Sequence, residues 1–295
     1  MAWQFFAILS AALWAGVNVL DKHVVSRYVK NPLVMFSLSL VFAGTTALVL
    51  LLSGTVEEVP RNLGLLGMAG GALYMIAGIF YFNAITAEEI SRIAPLLHVV
   101  PLFTALLAGI FLNELFTGKT YLGIAAIVLG ALLLSPKAAG RRMTPNKAFW
   151  LMALCAVLVA IGNIATKYLL DAAGYWTALF YMYAGQTIVL IPLLIRAYPD
   201  IRATAKEHGK KVFIILGCIE SMDFAASFIF MFAALGGYIT LVNALASTQP
   251  FFVLLYAVIL SAWFPRILHE EAGRRVLVQK FAAIALMFAG VLLVA

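Results

Sequence analysis

Long apolar stretches separated by short polar interruptions run along the whole chain, and their length of about 17 to 25 residues is what a helix needs to cross the hydrocarbon core of a bilayer. Ten stretches stand out, at about 3–20, 32–52, 64–85, 92–112, 120–135, 148–168, 175–195, 212–234, 238–262 and 278–295. The first, fifth and tenth are near the lower length limit. The longest polar interruptions, about 196–211 and 265–277, are too short to fold as a separate domain. The pattern therefore predicts an all-α, polytopic membrane protein with ten transmembrane helices.

Composition sharpens that reading. Of the 295 residues 64% are hydrophobic and only 11% charged, with a mean hydropathy of +1.02, whereas soluble domains average about 25% charged residues. The formal net charge of +7 belongs to the interruptions, which excludes a nucleic-acid-binding module. Only Met1 and Ala2 precede the first stretch, without a basic segment, so it reads as a retained helix rather than a signal peptide. Cys155 and Cys218 fall inside the sixth and eighth stretches, where packed, reduced thiols are expected and neither a metal site nor a cofactor is implied. Of the 20 lysines and arginines, 17 fall in or beside the interruptions after odd-numbered stretches. The positive-inside rule puts those interruptions in the cytoplasm and both termini outside.

The chain also repeats itself. "NVLDK" (Asn18 to Lys22) matches "NIATK" (Asn163 to Lys167), Pro101 with Phe103 matches Pro250 with Phe252, and "GALLL" (Gly130 to Leu134) matches "GVLLV" (Gly290 to Val294). The last pair has a longer offset because "HEEAGRR" intervenes. Two five-helix units follow, 1–136 and 148–295, joined by "KAAGRRMTPNK". An odd number of spans per unit makes the second enter the membrane from the opposite side, and inverted repeats of this kind place a transport site near the midplane between the halves.

"ISRIAPLLHVVPLFTALLAGIFLNELFTGKTYLGIAAIVLGALLLS" (Ile90 to Ser135) resembles the end of an EamA-type repeat of the drug/metabolite transporter superfamily: a Pro-containing helix closed by Glu114, a short loop with Lys119, and a final helix spaced by Gly123 and Gly130. "LSAALWAGVNVLDKHVV" resembles the start of such a repeat. In the second unit Trp263 stands where the pattern has Glu. The resemblance implies a basket in which spans one to four and six to nine surround a central cavity while five and ten lie at the periphery. It also implies cytoplasmic termini, opposite to the charge bias. Substrates in that family range over amino acids, other metabolites, nucleotide sugars and cationic drugs.

Within the stretches, ionisable and amide side chains mark candidate chemistry, because a charge at mid-membrane costs about 2.5 to 3.5 kcal/mol and by default faces a cavity or a partner. Glu220 and Asp223 share a helical face at i and i+3. Two acids that close repel, a pairing suited to a proton relay or to exchanging a proton for a cationic group. Trp14, Asn18 and Lys22 form a stripe at i, i+4 and i+8, and Asn163 with Lys167 repeats its last two members. Lys22 or Lys167 would supply a counter-charge to the acids, although lysines near helix ends commonly snorkel to headgroups. His98 corresponds to Ser247 in the repeat and is either a proton carrier or an interhelical hydrogen-bond partner. Asn243, Ser247 and Gln249 cluster beside Pro250, as expected of a cavity wall. Tyr74, Tyr81 and Tyr183 are the tyrosines deep enough to line a path. Pro101 and Pro250, with Pro95, interrupt spans four and nine and are candidate gating hinges or fixed kinks.

These features point to a transporter that moves a small substrate by alternating access, not to an enzyme: the chain has no H-E-x-x-H and no G-x-S-x-G, and "LHEEAG" lacks a second histidine. The deepest charges are acidic, which favours an amino acid, an amine or another cationic or zwitterionic metabolite, with protons as the candidate coupling partner. A nucleotide-sugar or phosphorylated-metabolite antiporter needs deep cationic groups, and a non-transporting membrane scaffold needs no polar cavity. The expected setting is the inner membrane of a prokaryote.

Overall fold

Inside hydrocarbon every backbone N–H and C=O needs an internal partner, and the apolar stretches meet that demand with helix among the described residues. The structure is a computed structural model that describes residues 2–29, 31–88, 94–134, 146–263 and 274–294. Most of the "KAAGRRMTPNK" connection and the "HEEAGRR" segment lie outside these residues, as do the side chains of Lys22, Pro95 and Trp263. The helices are α1 (Ala2–Arg27), α2 (Ser39–Leu52), α3 (Arg61–Ala87), α4 (Val100–Phe111), α5 (Gly118–Leu134), α6 (Lys147–His208), α7 (Lys210–Gly236), α8 (Ile239–Ala246), α9 (Gln249–Trp263) and α10 (Arg274–Val294). Short 3₁₀ segments, Pro32–Ser37 and Ala94–Val99, lead into α2 and α4.

Six of these helical segments are long and apolar enough to cross a membrane, and three shorter apolar helices accompany them among the described residues. Leucines such as Leu52 and Leu292 are 77% exposed, a surface that is stable against lipid tails and not against water. The chain is an all-α, multi-pass integral membrane protein.

Three departures from the sequence pattern bear on the site. The sixth and seventh stretches are joined as α6, bent at Gly174, whose φ of 76° breaks the helical path; a residue with a Cβ would be strained there. The polar interruption expected from 196 is helical to His208, since charged side chains beyond the hydrocarbon do not end a helix. The ninth stretch is two helices, α8 and α9, separated at Ser247 and Thr248. Pro250 accordingly follows a break between helices, whereas Pro101 stands where the 3₁₀ segment Ala94–Val99 passes directly into α4. Each is the second residue of its helix, α4 or α9, where no hydrogen bond is lost because the first N–H groups have no intrahelical partner.

Packing relies on close backbone approach. Helix α3 lies along α6, where Gly71 faces the carbonyl of Met182 and Gly185 faces the carbonyl of Met68. Helices α5 and α10 pair in the same manner: Gly123 meets Gly290 and Gly130 meets Ala283, so rising numbers on one face falling numbers on the other and the pair is antiparallel. Such small-residue contacts replace the hydrophobic effect, which does not operate between helices in lipid. Helix α1 runs along α7 with Ala7, Ala11 and Ala15 fully buried.

A methyl group at Gly71 or Gly185 would collide with a main-chain carbonyl, which cannot rotate away as a side chain does. Gly71→Ala and Gly185→Ala are expected to destabilise the detergent-purified protein by about 1 to 3 kcal/mol. Gly109→Ala, whose nearest neighbour would be a Leu115 side-chain carbon at 3.6 Å, is expected to stay within about 0.5 kcal/mol. Thermal melting of the three variants reads the difference.

Candidate functional site

The helices enclose a cavity of about 320 Å³ to which α1, α2, α3, α6, α7 and α8 all contribute. All of the expected substrate-site residues reach its wall: Trp14 and Asn18 from α1, Tyr74 and Tyr81 from α3, His98 ahead of α4, Asn163 and Tyr183 from α6, Glu220 and Asp223 from α7, and Asn243, Ser247 and Gln249 around the α8–α9 break. Pro101 and Pro250 are buried just behind the wall rather than on it. Among the described residues, helices α5 and α10 contribute none to the wall.

Helical periodicity explains the convergence. On α7, Glu220, Asp223, Ser227 and Phe230 follow one another at i, i+3, i+7 and i+10 and line one stripe. On α1 the facing stripe is Trp14, Asn18 and Asp21, at i, i+4 and i+7. The Trp14 indole Nε1 donates to Asp223 Oδ1 at 3.0 Å, and the Ser39 hydroxyl donates to Glu220 Oε1 at 2.6 Å. Trp14 also packs on Phe230 with ring centroids 5.3 Å apart, while Tyr183 lies 5.3 Å from Phe224 and stacks on Phe228 at 6.0 Å. Acid and aromatic faces thus adjoin, the combination that holds an organic ammonium by charge and by ring quadrupole.

Across the cavity, Asn163 Nδ2 donates to Asn243 Oδ1 at 3.0 Å, and Asn243 Nδ2 donates back to the Ile239 carbonyl at 2.9 Å. The break between α8 and α9 is closed by Ser247, whose N–H reaches the carbonyls of Asn243 and Ala244. Helix α8 begins without a side-chain cap of its own. Glu114, 3% exposed, fills that role: its Oε1 accepts from the Ile239 N–H at 2.9 Å and its Oε2 from the Thr240 N–H at 3.1 Å. A carboxylate at a helix N-terminus satisfies two free donors and the helix dipole together.

One expectation is corrected. Lys167 reaches the cavity wall, yet its ammonium is 2.7 Å from Asp171 and donates to the Ala234 carbonyl at 2.8 Å. It is therefore engaged elsewhere and is not the counter-charge of Glu220 or Asp223. Lys22, the other candidate, has its side chain outside the described residues. Sequence reasoning missed Asp21, 7% exposed on the same wall, whose Oδ1 has no hydrogen-bond partner among the described residues. Its signal was its place in the stripe, three residues beyond Asn18 and seven beyond Trp14. Ser39, the partner of Glu220, carried only the weaker mark of a hydroxyl in an apolar run.

A largely apolar cavity that carries acids and amides on its wall, between membrane-spanning helices, fits a multi-pass membrane transporter. The chain belongs to the EamA-like transporter family, whose pattern matches residues 1–135. The "uncharacterized transporter in cobO 3'region" of a Sinorhizobium sp. is 30% identical over 141 residues, 45% of this chain and 96% of that one. The pseudopaline exporter of Pseudomonas aeruginosa is 27% identical over 206 residues, 69% of each chain. A probable terminal-alkyne amino-acid exporter of Streptantibioticus cattleyicolor is 34% identical over 100 residues, 34% of this chain and 33% of that one. A solved crystal structure shares the fold, with a TM-score of 0.73 over 99% of this chain and 95% of its own at 14% identity. The family is one of transporters, not of enzymes, and its setting is a membrane with a small-molecule substrate.

Because Glu114 organises α8, and through it Asn243, Glu114→Ala is expected to lower stability by about 1 to 2 kcal/mol. Glu114→Gln retains one acceptor oxygen and is expected to lose about half of that. Melting temperatures in a single detergent provide the check.

Proposed function

We propose that the protein exports a small amine-bearing metabolite, an amino acid or a related zwitterionic or cationic compound, by proton-coupled alternating access. The observation that carries this reading is the acid pair Glu220 and Asp223 lining one cavity beside Trp14, Tyr183 and Phe224, while Lys167 on the same wall is ion-paired to Asp171. Such a wall favours ammonium groups and protons and disfavours phosphates. In this reading Asp223 holds the substrate's amino group or the proton that replaces it, and Glu220 sets the field around it. The export direction takes support from two relatives, a pseudopaline exporter and a probable terminal-alkyne amino-acid exporter.

The reading further takes the chain as two inverted five-helix units, 1–136 and 148–295, in the inner membrane of a prokaryote. The sequence repeats support the division. So do the paired discontinuities ahead of Pro101 and Pro250 and the antiparallel pairing of α5 with α10. Discontinuous helices at mid-membrane leave polar backbone to face a substrate, and Pro101 and Pro250 fix where the second segment of each begins. Rocking of one unit against the other then exposes the cavity to each side in turn. The sources named for the relatives are bacterial.

Asp223→Asn keeps the shape of the side chain and an acceptor for Trp14 but removes its charge and its proton. In proteoliposomes screened with amino acids, polyamines, nucleotide sugars and lipophilic cations, the parent is expected to transport amine-bearing compounds and Asp223→Asn to transport them at least about tenfold more slowly. Glu220→Gln is expected to change the pH profile. Melting temperature is expected to hold or rise in both, because burying a carboxylate is unfavourable. If both variants match the parent in rate from about pH 5.5 to 8, the carboxylates are structural and the reading is wrong.

A further inference from the structure

Asp21 is the one acid on the cavity wall that the transport reading leaves without a task. Glu220 and Asp223 each accept a hydrogen bond from a side chain, Ser39 or Trp14. Asp21 Oδ1 is buried, has essentially no water-accessible surface and has no donor among the described residues. An uncompensated carboxylate oxygen in an apolar environment is among the most costly groups a fold can carry. The rest of the molecule shows that this chain can satisfy buried charge: Glu114 holds two backbone N–H groups, and Lys167 holds Asp171 and a carbonyl.

We propose that Asp21 is a proton-binding site of its own, separate from the Asp223 subsite that holds the substrate's amino group. Size makes the distinction. An ammonium group or a metal ion needs accessible space beside the oxygen, and Oδ1 offers none. A proton needs no volume, and on arrival it removes the charge that has no partner. The groups sharing the wall with Asp21 are compatible with that ligand. Glu220 and Asp223 on α7 are its charge neighbours, Tyr81 on α3 faces it, and Tyr74 and His98 lie further along the wall. Lys167 is held by Asp171 and the Ala234 carbonyl, and the side chains of Lys22 and His23 lie outside the described residues.

Placing the proton on α1 and the amine on α7 gives the two ligands adjacent but different oxygens. Both are drawn by the same negative field, so an ammonium at Asp223 and a proton at Asp21 compete through it. The O–H bond of Asp21 breaks to release its proton to water when the cavity opens, and it re-forms on the opposite side. That coupling rests on the transport reading above; the proton site itself does not.

The test therefore uses no substrate. Infrared difference spectra of the purified full chain in lipid nanodiscs, stepped across about pH 5 to 9, report carboxyl C=O stretches as protons are gained and lost. Asp21→Asn is expected to remove one carboxyl band that Asp223→Asn and Glu220→Gln retain, and Asp21→Glu to shift that band without removing it. A spectrum of Asp21→Asn that superimposes on the parent overturns the assignment. If Asp21→Asn does not purify as a folded protein, an unshifted band in Asp21→Glu overturns it equally. Loss of the Asp21 band alongside normal transport by Asp223→Asn would keep the proton site while removing the substrate subsite, so the two ideas fail separately.

Discussion

Charge burial within a structure surrounded by hydrocarbon is the constraint on which the rest of this molecule depends. A carboxylate at mid-membrane costs about 2.5 to 3.5 kcal/mol even with relaxation, and the fold answers in two different ways. Where a charge serves architecture it is fully compensated. Glu114 binds two backbone N–H groups at the start of α8, and Lys167 is paired with Asp171 and an α7 carbonyl. On the cavity wall compensation among the described residues is partial, with one side-chain donor each for Glu220 and Asp223 and none for Asp21 Oδ1. Partial compensation leaves capacity for a ligand, and that contrast separates the site from the scaffold.

The scaffold in turn exists to hold α1 and α7 together while leaving space between their polar stripes. Gly16 lets α1 lie close to Met222 of α7, and glycine-to-carbonyl contacts fix α3 against α6. The discontinuities ahead of α4 and between α8 and α9 bring His98, Ser247 and Gln249 to the same wall. Prolines at the second position of α4 and α9 set the starting points of these helices without leaving a carbonyl unpaired inside either one.

Much of the site was legible in the sequence because polar side chains within long apolar runs have few reasons to be there. Glu220, Asp223, Asn163 and Asn243 announced themselves in that way, and a 3.6-residue period put Trp14 and Asn18 on the face that meets them. Asp21 was not legible for the same reason in reverse. It sits beside Lys22 at the end of its apolar run, where a charge looks interfacial, and only the path of α1 past α7 shows it to be buried. The partner of Lys167 is Asp171 at i+4, a spacing the sequence itself displays. The continuation of α6 to His208 was obscured by Pro199 and the run of charges from 196 onward. Those residues read as a loop, whereas outside hydrocarbon a helix carries them at modest cost.

The central claim is that amine and proton compete for one acidic cavity. Calorimetry tests it most directly, with an amine that the protein transports titrated into it in buffers of differing ionisation enthalpy. Competition predicts that binding releases protons to the buffer and weakens as the pH falls. Binding that releases no proton, or that strengthens towards acid pH, would contradict it.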